Sequence, residues 1–134
     1  MMRISAKVSE GLGKGGHFIS IPIYEAIFER LLGKKPFHGT LNLVADSDDV
    51  VHVNSAYQQH GKLHDGLEWN GNEMGAIETL PAKLWIGENC LDVVLVRPAL
   101  TRHHRSVIEV VSDRYLREEF GLEEGAIVDL EVPE

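Results

Sequence analysis

The segment RISAKVSEGLGKGGHFISIPIY, Arg3 to Tyr24, sets the reading of the fold. RISAKVS alternates apolar and polar side chains, and so does HFISIPI. A period of two predicts half-buried strands. Between them lie Gly11, Gly13, Gly15 and Gly16, with Lys14 among them. The alternation returns in TLNLVA, where Leu41 and Leu43 take one face and Thr40 and Asn42 the other. MGAIETL, AKLWIG, LDVVLVRP, SVIEVVS and AIVDLEV complete the strand set. LDVVLV is apolar on both faces, as a central strand would be.

Two segments carry helical spacing. In IYEAIFERLLGKKP, residues Tyr24, Ile27, Phe28, Leu31 and Leu32 form one face, Gly33 offers a stop, and Pro36 prevents resumption. In SDRYLREEFGL, Ser112 or Asp113 can cap, Leu116 and Phe120 face inward, and Gly121 ends the helix. The stretch from Asp46 to Asn72 is polar and poorly periodic, and reads as loops with a weak hairpin. Many short strands with two short helices predict a mainly β fold, a closed barrel with helical lids. The 134 residues fit one domain, 1–134.

Bulk properties narrow the function. A net charge of −8 argues against a nucleic-acid partner. No apolar run is long enough to span a membrane, and the N-terminus has no hydrophobic signal core. The one cysteine, Cys90, excludes an internal disulfide framework and fits a reducing cytoplasm. Its flank, ENCLDVVLV, reads as the start of a buried strand, so Cys90 is expected in the core.

Three groups of residues can carry chemistry. The glycine loop lacks the order of a Walker or dinucleotide-binding loop. Its glycines still expose N–H groups and permit positive φ, so it is either an anion nest or a plain turn. Thr40 and Asn42, on one strand face, offer neutral oxygen ligands of the kind Mg²⁺ accepts beside phosphates; a solvated strand face is the alternative. In RPALTRHHRSVIEVVSDRYLREEF, Thr101 and Glu109 lie eight apart, and Arg114 and Arg117 share one helix surface. In SVIEVV, Glu109 interrupts the row Val107–Val111, which reads as a ligand-facing carboxylate or as an exposed outer-face residue. His103 and His104 are adjacent and cannot both face one zinc site.

Together these segments resemble the archaeal CTP-dependent riboflavin kinases. That family shows a G-x-G-x-G loop, a helix of this length and G-T-L-N, matched here by GLGKGGHF through HGTLNL. Later come P-x-x-T-x-H, a glutamate on the next strand, an L-R-E helix and a closing strand, matched by RPALTRHHRSVIEVVSDRYLREEFGLEEGAIVDLEV. The chain departs from the pattern at Gly16 and His17, where the family carries a longer side chain and an aromatic. The resemblance implies a six-stranded cradle-loop β-barrel that moves the γ-phosphate of CTP to the 5′-hydroxyl of riboflavin. It implies that Gly11, Leu12, Gly13, Lys14, Gly15 and Gly16 form the nucleotide loop, and that Arg114, Tyr115, Leu116 and Arg117 hold the cytidine nucleotide. Thr40 and Asn42 would bind Mg²⁺, Thr101 and Glu109 would contact the flavin, and Glu109 is the nominated base. The expected protein is a monomer acting on riboflavin and CTP. Its rivals are a non-catalytic flavin- or nucleotide-binding sensor and a barrel-like DNA-binding regulator.

Overall fold

The computed structural model describes residues 1–10, 15–99 and 107–134. In chain order the elements are β1 (Met2–Ser9), α1 (Gly15–Ser20), α2 (Pro22–Leu32), β2 (Leu41–Val44), α3 (Ser47–His60), β3 (Lys62–His64), β4 (Glu68–Trp69), β5 (Asn72–Glu73), β6 (Ile77–Ile86), β7 (Asn89–Pro98), β8 (Val107–Val111), α4 (Leu116–Glu119) and β9 (Ile127–Val132). Six strands close on themselves in the order β6–β7–β8–β2–β1–β9 and back to β6, every pair antiparallel. β6 is long enough to serve two neighbours on one edge, β3 through Ile77–Thr79 and β9 through Lys83–Trp85. Pro81 falls in the gap where that edge changes partner, a place that tolerates a residue without N–H.

Strand alternation divides the apolar residues into two bodies. Ile4, Leu43, Leu84, Leu95, Val110 and Leu130 point inward and fill the barrel. Val94, Val96 and Val111 point outward, where Ile19, Tyr24, Ile27 and Phe28 cover them. The helices α1 and α2 are therefore a lid on the outer face of β7 and β8. Gly33, at φ 74°, ends α2 in the left-handed conformation that favours glycine. The hydroxyl of Tyr24 donates to the Gly75 carbonyl at 2.6 Å and pins α2 near the start of β6.

The barrel follows the sequence reading; several local elements do not. HFISIPI was expected as a strand, but it forms α1 and the start of α2. Its apolar residues pack on the outer faces of β7 and β8, and Pro22 takes the first turn of α2, where no N–H is needed. There are four helices among the described residues rather than two. α3 occupies much of the stretch read as loop, with Val50, Val53, Ala56 and Tyr57 buried against the barrel interior. The weak hairpin exists as β4 and β5. SDRYLREEFGL gives only the single turn α4, and MGAIETL with AKLWIG forms one continuous β6. Cys90 is exposed, not core. It follows the tight turn at Gly87 and pairs with Trp85 at the outer end of the β6–β7 hairpin.

Phe28 is fully buried and joins α2 to the sheet. Phe28→Ala is expected to cost about 3–5 kcal/mol of unfolding free energy in urea. A loss below about 1 kcal/mol would show that the lid is not packed as described.

Candidate active site

β2 and β8 pair so that Asn42 stands opposite Glu109, and β1 and β7 extend that row with Ser9 and Val96. Because strand side chains alternate, Thr40, Asn42 and Glu109 all project from the outer face, beside the edge of the α1–α2 lid. Glu109 does lie on that outer face, yet it is only half-exposed, and Asn42 is buried.

Thr40 Oγ1 lies 3.3 Å from Asn42 Oδ1, and the same hydroxyl is within hydrogen-bonding reach of the Glu109 carboxylate. One hydroxyl proton thus faces two acceptors. Such an oxygen-rich group is under-supplied with positive charge, and a small hard cation would complete it. Burial pushes the Glu109 carboxyl above the ordinary carboxylate range, and the Thr40 hydrogen bond opposes this only in part. Among the described residues, no set of three or more His, Cys, Asp or Glu side chains is placed to hold a metal.

A cleft opens beside this group, lined by Phe37, Gly39, Thr40, Ser112 and the run Arg114–Arg117. Two contacts join its walls. The Phe37 N–H donates to the Ser112 carbonyl at 2.8 Å, and the Phe37 ring stacks on Tyr115 with centroids 4.4 Å apart. The structure therefore brings HGT and RYLR, far apart in sequence, to one place. Their side chains play unequal parts. Leu116 is buried in the barrel core, so its side chain is largely withdrawn from solvent. Arg114 is held by Glu119 and lies over the Phe120 ring, with 5.2 Å from guanidinium carbon to centroid. Arg117 donates to the Ser9 carbonyl and so ties α4 to the residues that lead into the glycine loop.

Gly15 and Gly16 begin α1. A Cβ on Gly16 would stand 2.8 Å from the carbonyl oxygen of His38. This glycine lets the end of the loop touch the segment that carries Thr40, which explains the small residue at that position. Gly11, Leu12, Gly13, Lys14 and Thr101 lie outside the described residues. The sequence reading did not name Phe37 as a site residue. The available signal was an aromatic just ahead of the polar strand HGTLNL.

The family model for CTP-dependent riboflavin kinases, described as a domain of unknown function, DUF120, matches residues 8–132. The chain belongs to this family. The riboflavin kinase of Sulfurisphaera tokodaii is 35% identical over 135 residues, covering 98% of this chain and 96% of that protein. That of Sulfolobus acidocaldarius is 33% identical over 133 residues, with 98% and 82% covered. That of Archaeoglobus fulgidus is 27% identical over 131 residues, covering 98% of this chain and 54% of the relative. In this family member no helix among the described residues is long and apolar enough to cross a membrane.

The raised carboxyl of Glu109 has a stability consequence. A carboxyl that titrates higher when folded than unfolded favours folding below the unfolded value, and that contribution is lost as pH rises through the folded value. At neutral pH, above the unfolded value, the Glu109 carboxyl therefore burdens the fold. Glu109→Gln is expected to raise the thermal midpoint at pH 7 in EDTA by about 2–5 °C, with the gain vanishing below about pH 4. An equal or lower midpoint at pH 7 would contradict the desolvation of this group.

Proposed function

We infer that this chain is a CTP-dependent riboflavin kinase, converting riboflavin and CTP to FMN and CDP within one domain spanning residues 1–134. The family match over residues 8–132 supports the activity. The single observation that carries the assignment of residues is the convergence of Thr40, Asn42 and Glu109 beside the Phe37–Tyr115 cleft.

The roles follow from chemistry. Phosphoryl transfer asks a protein mainly for positioning and for charge neutralisation. Gly11 to Gly16 cradle the β- and γ-phosphates with backbone N–H groups, and Lys14 adds one exposed cation. Thr40 and Asn42 would hold Mg²⁺, which when bound would supply positive charge to the phosphate oxygens. The cleft formed by Arg114, Tyr115, Leu116 and Arg117 takes the cytidine. Its backbone groups are the natural readers of the base edge, because Leu116 points inward and Arg114 is already paired. Thr101 and Glu109 take the flavin side.

Glu109 is placed to accept the proton of the 5′-hydroxyl. The hydroxyl oxygen forms a new bond to the γ-phosphorus, the bond from that phosphorus to the β–γ bridging oxygen breaks, and CDP leaves with the bond's electron pair. The proton passes from Glu109 to solvent when FMN departs. The elevated carboxyl fits this role, since a base that holds its proton more readily is the better acceptor. The chain works as a monomer in the cytoplasm on two small molecules; its charge of −8 disfavours a polyanionic partner.

Incubating the protein with riboflavin, Mg²⁺ and either CTP or ATP is expected to yield FMN with CTP. Asn42→Ala should lower turnover on the order of 10²-fold, with the β-rich circular dichroism unchanged. Near-normal turnover of that variant at limiting Mg²⁺ would remove Asn42 from the metal site.

A further inference from the structure

Along their outer face, β2 and β8 and the residues flanking them carry three kinds of surface in order. At one end is the cleft of Phe37, Gly39, Ser112 and Tyr115. In the middle stand Thr40, Asn42 and Glu109. Two residues further along each strand, Val44 faces Val107. Because the strands are antiparallel, the order of cleft, polar row and valine pair reads up β2 and down β8 alike. Both valines are exposed, 37% at Val44 and 48% at Val107, although their neighbours Leu43 and Ile108 are buried in the barrel. Continuing the β7–β8 register brings exposed Pro98 beside Val107. On the other side Lys7 pairs with Val44 and interrupts the apolar row before Ile127.

We propose that Val44, Val107 and Pro98 form the platform on which the planar ring of the phosphate acceptor lies, which makes the two valines specificity-determining residues for the flavin. This rests on the kinase reading above. The dimensions agree. Three adjacent strands span about 10 Å, the reach of three fused six-membered rings with their substituents. The step from Glu109 to Val107 along β8 is about 7 Å, and an extended five-carbon ribityl chain covers it. A ring on the valines therefore puts its 5′-hydroxyl at the Glu109 carboxyl. The nucleotide cleft lies on the opposite side of the polar row, so donor and acceptor meet there from two sides, as in-line displacement requires. The chemistry agrees as well. Valine and proline side chains have no polar group to leave unpaired when a flat ring covers them, and their apolar surface leaves water. The row is too small for a protein partner. Its three side chains, bounded by Lys7, the polar row and the strand ends, fall far short of the roughly 800 Å² per side that a stable interface buries.

The test replaces the valines by threonine, which keeps the shape and the strand preference and adds a hydroxyl. Val44→Thr and Val107→Thr, made singly, should each raise KM for riboflavin about two- to five-fold, and the double variant about ten-fold or more. KM for CTP and the thermal midpoint should stay nearly unchanged, and Val107→Ile should keep KM for riboflavin within about two-fold. Ile127→Thr, beyond Lys7 on the same row, should change neither substrate. Fluorescence anisotropy of lumiflavin, which has the ring without the ribityl chain, reads the platform without turnover, and its Kd should rise by the same factors. The platform is overturned if the double variant binds riboflavin and lumiflavin like the unaltered chain, if KM for both substrates rises together, or if Ile127→Thr is as damaging as Val44→Thr. A double variant that melts far below the unaltered chain would show valines that serve only the fold, and would overturn it too. Self-association of the unaltered chain in sedimentation, abolished by the double variant, would make the row a contact between copies instead. A chain that makes no FMN before any substitution overturns the kinase reading, and the lumiflavin titration then judges the platform alone.

Discussion

The antiparallel pairing of β2 with β8 sets Asn42 opposite Glu109, and the rest of the site depends on that register. A slip of one residue would turn Thr40, Asn42 and Glu109 into the barrel and expose Leu41, Leu43, Ile108 and Val110. The inward row is what prevents the slip: Leu43 and Val110 are essentially without solvent contact. The burial that stabilises the barrel and the polar row that would perform chemistry are two faces of the same strands. Strand register alone brings Asn42 and Glu109 together, with Thr40 one residue ahead of β2.

That arrangement carries an energetic tension. Thr40, Asn42 and Glu109 sit at the edge of a second apolar body, the lid packed on Val94, Val96 and Val111. Burial raises the proton affinity of the Glu109 carboxyl. A partly buried, poorly compensated carboxylate is a cost to the empty protein, and it is the same property that suits a proton acceptor. The cleft between Phe37 and Tyr115 shows a different economy. Its side chains stack on, or pair with, one another: Phe37 with Tyr115, and Arg114 with Glu119.

Much of this was readable from residue order. The alternation in RISAKVS, TLNLVA and AIVDLEV reports strands whose burial patterns alternate in the structure, and the two-residue spacing of Thr40 and Asn42 puts both on one face. The face of Glu109 was open, because Ile108–Val110 and Val107–Val111 are equally apolar rows; only the barrel interior separates them. HFISIPI misled because serine and proline between isoleucines mimic a strand period, while the isoleucines in fact pack from two short helices. The helix α3 left a signal that could have been used. Asp46 to Asp49 supply a helix start, and Val50, Val53 and Tyr57 recur at helical spacing. The meeting of Phe37 with Tyr115 had no local signal, since it follows from strand order alone.

The central claim is that the outer row of β2 and β8 is the floor on which metal and nucleotide sit together. Its most direct test is nuclear magnetic resonance of the isotope-labelled protein with Mn²⁺ replacing Mg²⁺, in the presence of CDP. Paramagnetic broadening is expected to fall first on the Asn42 side-chain amide and on the backbone amides of residues 40–42 and 109, and to weaken when CDP is withdrawn. Broadening centred elsewhere, with Asn42 and residue 109 sharp in the CDP complex, would contradict the account.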